Sequence, residues 1–204
     1  MGWSIQESRP VSKAVHELVR VPDTPAAREA EELAARAYSR ALLNHSLRTY
    51  VWAVHIGTST GRAFDAEVLY VAALLHDVGL MPAFDTGRCF ETDSAHAARA
   101  LLASVGWSAE RTELAANAIR DHWSGPDDHD DVEAVLLAQG AAVDAIGNRG
   151  SPVDDATRER VLGALPREGF KHEFVTLLEA QAERKPRCGV SEALQAGFAE
   201  LVME

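Results

Sequence analysis

Four ionisable side chains with the donor atoms of a metal site stand inside or beside apolar runs of this sequence: His45, the adjacent His76 and Asp77, and Asp144. His76-Asp77-Val78-Gly79 closes the run Val68-Leu69-Tyr70-Val71-Ala72-Ala73-Leu74-Leu75, and Asp144 is one of only two polar side chains between Ala134 and Ile146. Unpaired groups of this kind are costly away from water, so a shared cation is the simplest partner. Two imidazoles and two carboxylates suit one divalent transition metal ion, zinc first and iron, manganese or nickel as alternatives. Calcium and magnesium favour all-oxygen shells instead. Such an ion activates a water for attack on an electrophilic carbon or phosphorus. Asp77, next to ligand His76, is placed to take the proton as general base.

These residues need a scaffold, and the periodicity points to an all-α one. Nearly every long segment has helical spacing, and no β-branched run alternates as a half-buried strand would. Helices are expected near 12–20, 25–42, 45–59, 66–78, 94–105, 109–123, 132–146, 153–164, 168–184 and 190–202. Thr24-Pro25 and Ser151-Pro152 read as helix starts, with Asp65, Asp93 and Ser108 as further N-caps. Gly79 and Gly106 read as left-handed C-terminal residues, and Gly125-Pro126 as a helix stop. Gly140, one turn before Asp144, leaves room for a neighbouring helix. With 204 residues the chain is expected to form one domain, residues 1–24 being an N-terminal extension.

Composition narrows the partners. Hydrophobic residues make up 47% and charged residues 25%, with no apolar stretch of the roughly 20 residues a membrane helix needs. The start of the chain lacks a basic segment followed by an apolar one, so no secretory signal is read there. A formal net charge of −11 and the lack of any Lys/Arg cluster leave no electrostatic footprint for nucleic acid. Cys89 and Cys188 are too few for a disulfide framework and lack zinc-thiolate spacing, which fits a reducing cytoplasm. A small-molecule substrate is the expected partner, and the acidic surface is compatible with a homodimer.

Helical phase sorts the remaining candidates. Leu47, Val51 and Val54 form one stripe, and His45, Arg48, Trp52 and His55 another. His45 and His55 are about 15 Å apart along a helix, so only one can ligate, and His45, expected near its helix start, is chosen. His55 reads as a surface or satisfied histidine. His96 lies opposite the buried stripe of its helix, whereas His122 faces inward and is read either as substrate-facing or as a satisfied core histidine. Arg48 is a candidate for binding an anionic substrate or for pairing with a carboxylate. Glu91 is a candidate for orienting Arg48 or another site residue. Trp52 and Trp123 read as core or pocket-rim residues, and Lys171 and Lys185 as members of solvated helix faces.

The order histidine, His-Asp, later Asp on an all-helical chain resembles the HD-domain superfamily of metal-dependent phosphohydrolases and their relatives. Closer likeness is carried by Asn44-His45-Ser46-Leu47-Arg48-Thr49-Tyr50, by Phe64 through Leu80, and by Phe90-Glu91 before Asp93. The stretch from Gly169-Phe170-Lys171 to Arg184-Lys185-Pro186 adds to it. These segments, spanning roughly residues 40–198, resemble the cyanamide hydratase-type branch. That resemblance implies a mononuclear zinc site and addition of water to a nitrile carbon. Phe90 stands where a two-metal site would want a histidine. Leu80 stands where the cyclic-dinucleotide phosphodiesterase branch has a lysine. The reading is a metal-dependent hydratase-like enzyme acting on a nitrile or cyanamide. The alternatives are an HD phosphohydrolase acting on a nucleotide or other phosphate ester, and a metal-stabilised helical module without turnover.

Overall fold

The computed structural model describes residues 14–125, 131–147 and 150–204, and among these the regular elements are all helical. They are α1 (Pro25–Ala37), α2 (Arg40–Ser59), α3 (Ala66–Leu75), a 3-10 turn (Val78–Leu80), α4 (Phe90–Ser104) and α5 (Ala109–Asp121). There follow α6 (Val132–Ile146), α7 (Asp155–Ala164), α8 (Phe170–Arg184), α9 (Gly189–Gln195) and α10 (Phe198–Met203). The all-α expectation holds. The expected helix at 12–20 begins, and the Pro126 stop falls, outside the described residues.

Helix α3 is the axis of the core. Asp65 caps it, accepting from Glu67 N and Val68 N at 2.9 and 3.1 Å, and Arg111 pairs with that cap at 2.8 Å. Every residue from Val68 to Leu75 is fully buried, so no face of that stretch meets water. Helices α2 and α6 make the most extensive pairing in the molecule. Gly140 permits it, because a Cβ there would collide with the Thr49 carbonyl on α2.

Several boundaries differ from the sequence expectation for local reasons. The segment expected as 25–42 ends at Ala37, and Ser39 starts a new helix by accepting from Leu42 N at 3.1 Å. His45 therefore sits in the second turn of a long helix, fully buried, rather than at a wet helix start. Asp93 lies inside α4 instead of capping it, and accepts from Thr86 N and Thr86 Oγ1 at 2.9 and 2.5 Å. Asp154, not Ser151, caps α7, accepting from Thr157 N at 2.7 Å. Gly79 is not left-handed: it lies in the 3-10 turn, where a side chain would strike the Phe90 carbonyl. The expected last helix is two, broken at Gly197 with φ +89°.

Lys185 corrects the solvated-face reading. It is buried, and its ammonium meets Asp85 Oδ1 at 2.8 Å, while Arg184 meets Asp85 Oδ2 at 2.7 Å. The loop after the His-Asp pair is thus tied to the end of α8. A Cys89–Cys188 disulfide makes the same connection between the starts of α4 and α9. No local spacing announces this pair, since 99 residues separate the cysteines. The two free thiols behind the cytoplasmic expectation are a bonded pair here. Among the described residues no helix is long and apolar enough to cross a membrane.

Candidate metal centre

The end of α3 sets the site. The helix finishes at Leu75, His76 keeps helical angles, and Asp77 leaves them with φ −104° and ψ 4°. The two side chains consequently leave the core at the open end of the bundle while remaining 1% exposed. Gly79 N donates to Ser94 Oγ at 2.8 Å, pinning the turn against α4.

His45 reaches the same point from α2. Its Nε2 lies 3.3 Å from His76 Nε2 and 3.5 Å from Asp77 Oδ2, and His76 Nε2 is 3.3 Å from that same oxygen. The other nitrogen of each ring faces an acceptor. His45 Nδ1 meets Asp144 Oδ2 at 2.7 Å, and His76 Nδ1 meets the Ala73 carbonyl at 2.7 Å. These partners place the proton on Nδ1 in the neutral rings, so both Nε2 lone pairs point inward. Asp77 Oδ2 is buried without a hydrogen-bond partner. With both rings neutral, three electron-pair donors face one another with no proton between them, an arrangement that a cation satisfies. Ligand atoms at about 2.0–2.1 Å from one tetrahedral ion lie about 3.3–3.4 Å apart, and the observed triangle fits that spacing.

Asp144 was expected in the ligand set, and the structure places it one layer behind. Arg48 Nε and Nη2 donate to its two oxygens at 2.7 and 2.8 Å, Trp52 Nε1 donates to Oδ1 at 3.1 Å, and His45 takes the remaining capacity of Oδ2. Arg48 is fully buried and spends its last donor group on the carbonyls of Leu165 and Pro166, at 3.0 and 3.1 Å. Arg48 thus pairs with a carboxylate and, fully buried, does not line the cavity beside the triad. Trp52 belongs to this buried network rather than to a pocket. His45 is held from the other side by Phe170, stacked at 4.2 Å between centroids.

His122 does face the site. Its Nδ1 donates to the Ile119 carbonyl at 2.5 Å, its ring stands edge-on to His76 at 4.9 Å, and it lines the same cavity as the triad. Glu91 lies outside that cavity wall, half-buried in the first turn of α4 with Oε2 unpartnered, and takes none of the Arg48 hydrogen bonds. His96 is exposed.

Electrostatics separates these groups. Burial pushes His76 down to about 4, with His122 and His45 adding to the effect and Asp77 opposing it. Burial likewise lowers His122, so its imidazole is neutral at pH 7. For His45 burial acts downward, but Asp144 and Asp77 outweigh it and raise the pKa. Asp77 is held at about 2: burial alone would raise it, and the surrounding histidines more than compensate. A carboxylate that acidic is a weak proton acceptor. Burial also works against Asp144, yet Arg48 and His45 hold it far below the usual carboxylate range.

A cavity of about 280 Å³ opens onto the triad. His45, His76, Asp77 and His122 are its titratable lining residues. Its walls are Ala138, Ala141, Ala142, Ala145 and Ile146 of α6, Phe174 of α8, Ala193 of α9, Phe198 of α10, and Trp123 with Gly125. Trp123, read from the sequence as a core or pocket-rim residue, lines the cavity. Sequence reasoning missed Phe174, Phe198 and the alanine row, because apolar residues at helical spacing look the same whether they face a core or a cavity.

A family model described as the HD domain matches residues 42–146, a span that contains His45, His76, Asp77 and Asp144. A crystal structure of a predicted HD superfamily hydrolase from an uncultured Thermotogales bacterium is similar over 87% of this chain and 95% of its own, with 20% sequence identity and a TM-score of 0.45. No curated protein matches the sequence.

Proposed function

The chain belongs to the HD-domain family, and we propose that it is a metal-dependent enzyme adding water to a small uncharged electrophile, as a nitrile or cyanamide hydratase does. One observation carries the reading: three inward-facing electron-pair donors form the floor of a cavity whose described walls contain no lysine or arginine. A phosphate ester brings negative charge that the site would have to neutralise, commonly with Arg or Lys. Arg48, the nearest candidate, is consumed by Asp144. A compact neutral substrate needs no such group.

His45 Nε2, His76 Nε2 and Asp77 Oδ2 would hold the ion, and zinc suits this donor set. When bound, a divalent cation supplies ionisation of water near neutral pH and polarisation of the electrophile. The protein's own groups do the rest. Asp144 fixes the His45 tautomer and orientation, and the Ala73 carbonyl does the same for His76, a device that commonly steadies metal-binding imidazoles. His122, with its proton committed to the Ile119 carbonyl, presents the Nε2 lone pair to the cavity. That nitrogen accepts the proton of the attacking water and can return it to the developing nitrogen anion. The apolar walls exclude bulk water, which strengthens these charge interactions.

The test is turnover by the zinc-loaded protein. Cyanamide should give urea, or simple nitriles should give amides, while nucleoside monophosphates should release no phosphate. Phosphate release without hydration would replace this reading with a phosphohydrolase, and no turnover of either class would leave a metal-stabilised helical module.

A further inference from the structure

Cyanamide is small and polar, and the cavity above the triad is neither. About 280 Å³ is available, and away from the floor the described lining is hydrocarbon apart from Trp123 and Gly125. An apolar cavity of about 150 Å³ accommodates benzene. This one therefore has room for a ring or a short alkyl chain together with a functional group on the floor. The row Ala138, Ala142 and Ala145 recurs at helical spacing on α6 and keeps one wall low, while Phe174 and Phe198 face the same space from α8 and α10. Ala138 and Ala142 are only partly buried, in a helix whose other faces are packed against α2 and α5.

Resting on the water-addition reading above, we infer that the substrate is a neutral molecule whose electrophilic carbon carries an alkyl or aryl group about the size of a benzene ring. Ala142 and Phe198 act as the residues that set its length. Apart from Trp123 and Gly125 the hydrogen-bonding side chains of the described lining are on the floor, so the reacting group sits at His45, His76, Asp77 and His122 and the hydrocarbon lies along α6. Burying each added methylene there raises affinity about threefold to fourfold until the cavity is full. A charged tail finds no counter-ion among the described lining residues.

The experiment is calorimetric binding of primary amides, which are uncharged and share the polar head of a hydration product, to the zinc-loaded full chain. Affinity should climb threefold to fourfold per methylene from acetamide to pentanamide, benzamide should bind at least tenfold more tightly than acetamide, and phenyl phosphate should bind more weakly than benzamide. Ala142→Phe should flatten the series, with Ala142→Leu doing so partially should the larger variant fold poorly. Phe198→Ala should move the optimum to a longer chain, a gain that misfolding cannot imitate. A flat series in the native protein, tighter binding of phenyl phosphate, or an optimum unmoved by Phe198→Ala would overturn the inference. Its failure is separable from that of the hydratase reading. A steep amide series without any hydration activity defeats only the activity, and hydration of cyanamide with a flat series defeats only the apolar substrate.

Discussion

Asp77 and Asp144 are both buried aspartates, both touch His45, and both are held ionised, yet their surroundings are opposite. Around Asp144 every acceptor site is filled: Arg48 binds it through two donors, and Trp52 and His45 take what remains. Asp77 Oδ2 instead faces the Nε2 atoms of His45 and His76 and has no hydrogen bond. The first is a closed hub that ties α2 to α6. The second is an open end that needs a cation. Burial and charge state alone do not identify a ligand; the count of protons pointing at each oxygen does.

Substitutions at the two carboxylates should break the symmetry most strongly. Asp144→Ala leaves the Arg48 guanidinium buried without its partner, a loss of about 3–5 kcal/mol in stability. Asp77→Ala removes a carboxylate whose Oδ2 no donor partners, so the metal-free protein should lose clearly less than Asp144→Ala does. Chemical denaturation of both variants without metal checks the pair. Equal losses would mean that the hub and the open end are not distinct.

The disulfide sharpens the same contrast, because it holds α9, a wall of the open end, to the start of α4. Closing a loop of 99 residues contributes about 2–4 kcal/mol. Reduction, or Cys188→Ser, should lower the unfolding midpoint accordingly and speed amide exchange in α9 and α10 while α2 and α6 keep their protection. Uniform deprotection would show that the clasp supports the whole bundle instead.

Acid should reach the open end first. His76 titrates at about 4 in the folded chain and near 6.5 when unfolded. As pH falls through that window the unfolded state takes up protons that the folded state refuses, and stability drops. His122, lowered in the same direction, adds to the fall. The raised pKa of His45 works in the opposite sense: its contribution is complete below about 6.5 and fades as pH rises through the folded value. The Asp144 contribution persists until pH drops below the ordinary carboxylate range, since its pKa is depressed. Urea midpoints of the metal-free protein from pH 7 to 4 should therefore decline, and His76→Ala should flatten the decline. The smallest effect belongs to Trp52→Phe, which removes one of several donors to Asp144 and should cost about 1 kcal/mol.

Much of this was legible in residue order. The uniformly apolar run before His76 foretold a central helix ending at a site, and Gly140 foretold the close approach of α6 to α2. Less local facts were not legible. Arg48 and Asp144 are 96 residues apart, so only the packed bundle reveals that they are partners. The buried Lys185 owes its place to Asp85, which reaches it across a loop that has no periodicity to read. The break at Tyr38 and Ser39 was hidden because helix-forming residues flank it on both sides, and it places His45 in the second turn of its helix rather than at the start. Cavity walls of alanine and phenylalanine carry no signature distinct from a core.

The most direct test of the distinction is zinc binding by Asp77→Asn and Asp144→Asn, measured by competition with a chelator and by elemental analysis. The structure predicts that Asp77→Asn no longer retains one equivalent. Asp144→Asn should still reach one equivalent at saturating zinc, with affinity weakened about 10- to 100-fold through loss of the His45 orientation. Retention by Asp77→Asn together with loss of the ion in Asp144→Asn would contradict the account, making Asp144 the ligand and Asp77 the bystander.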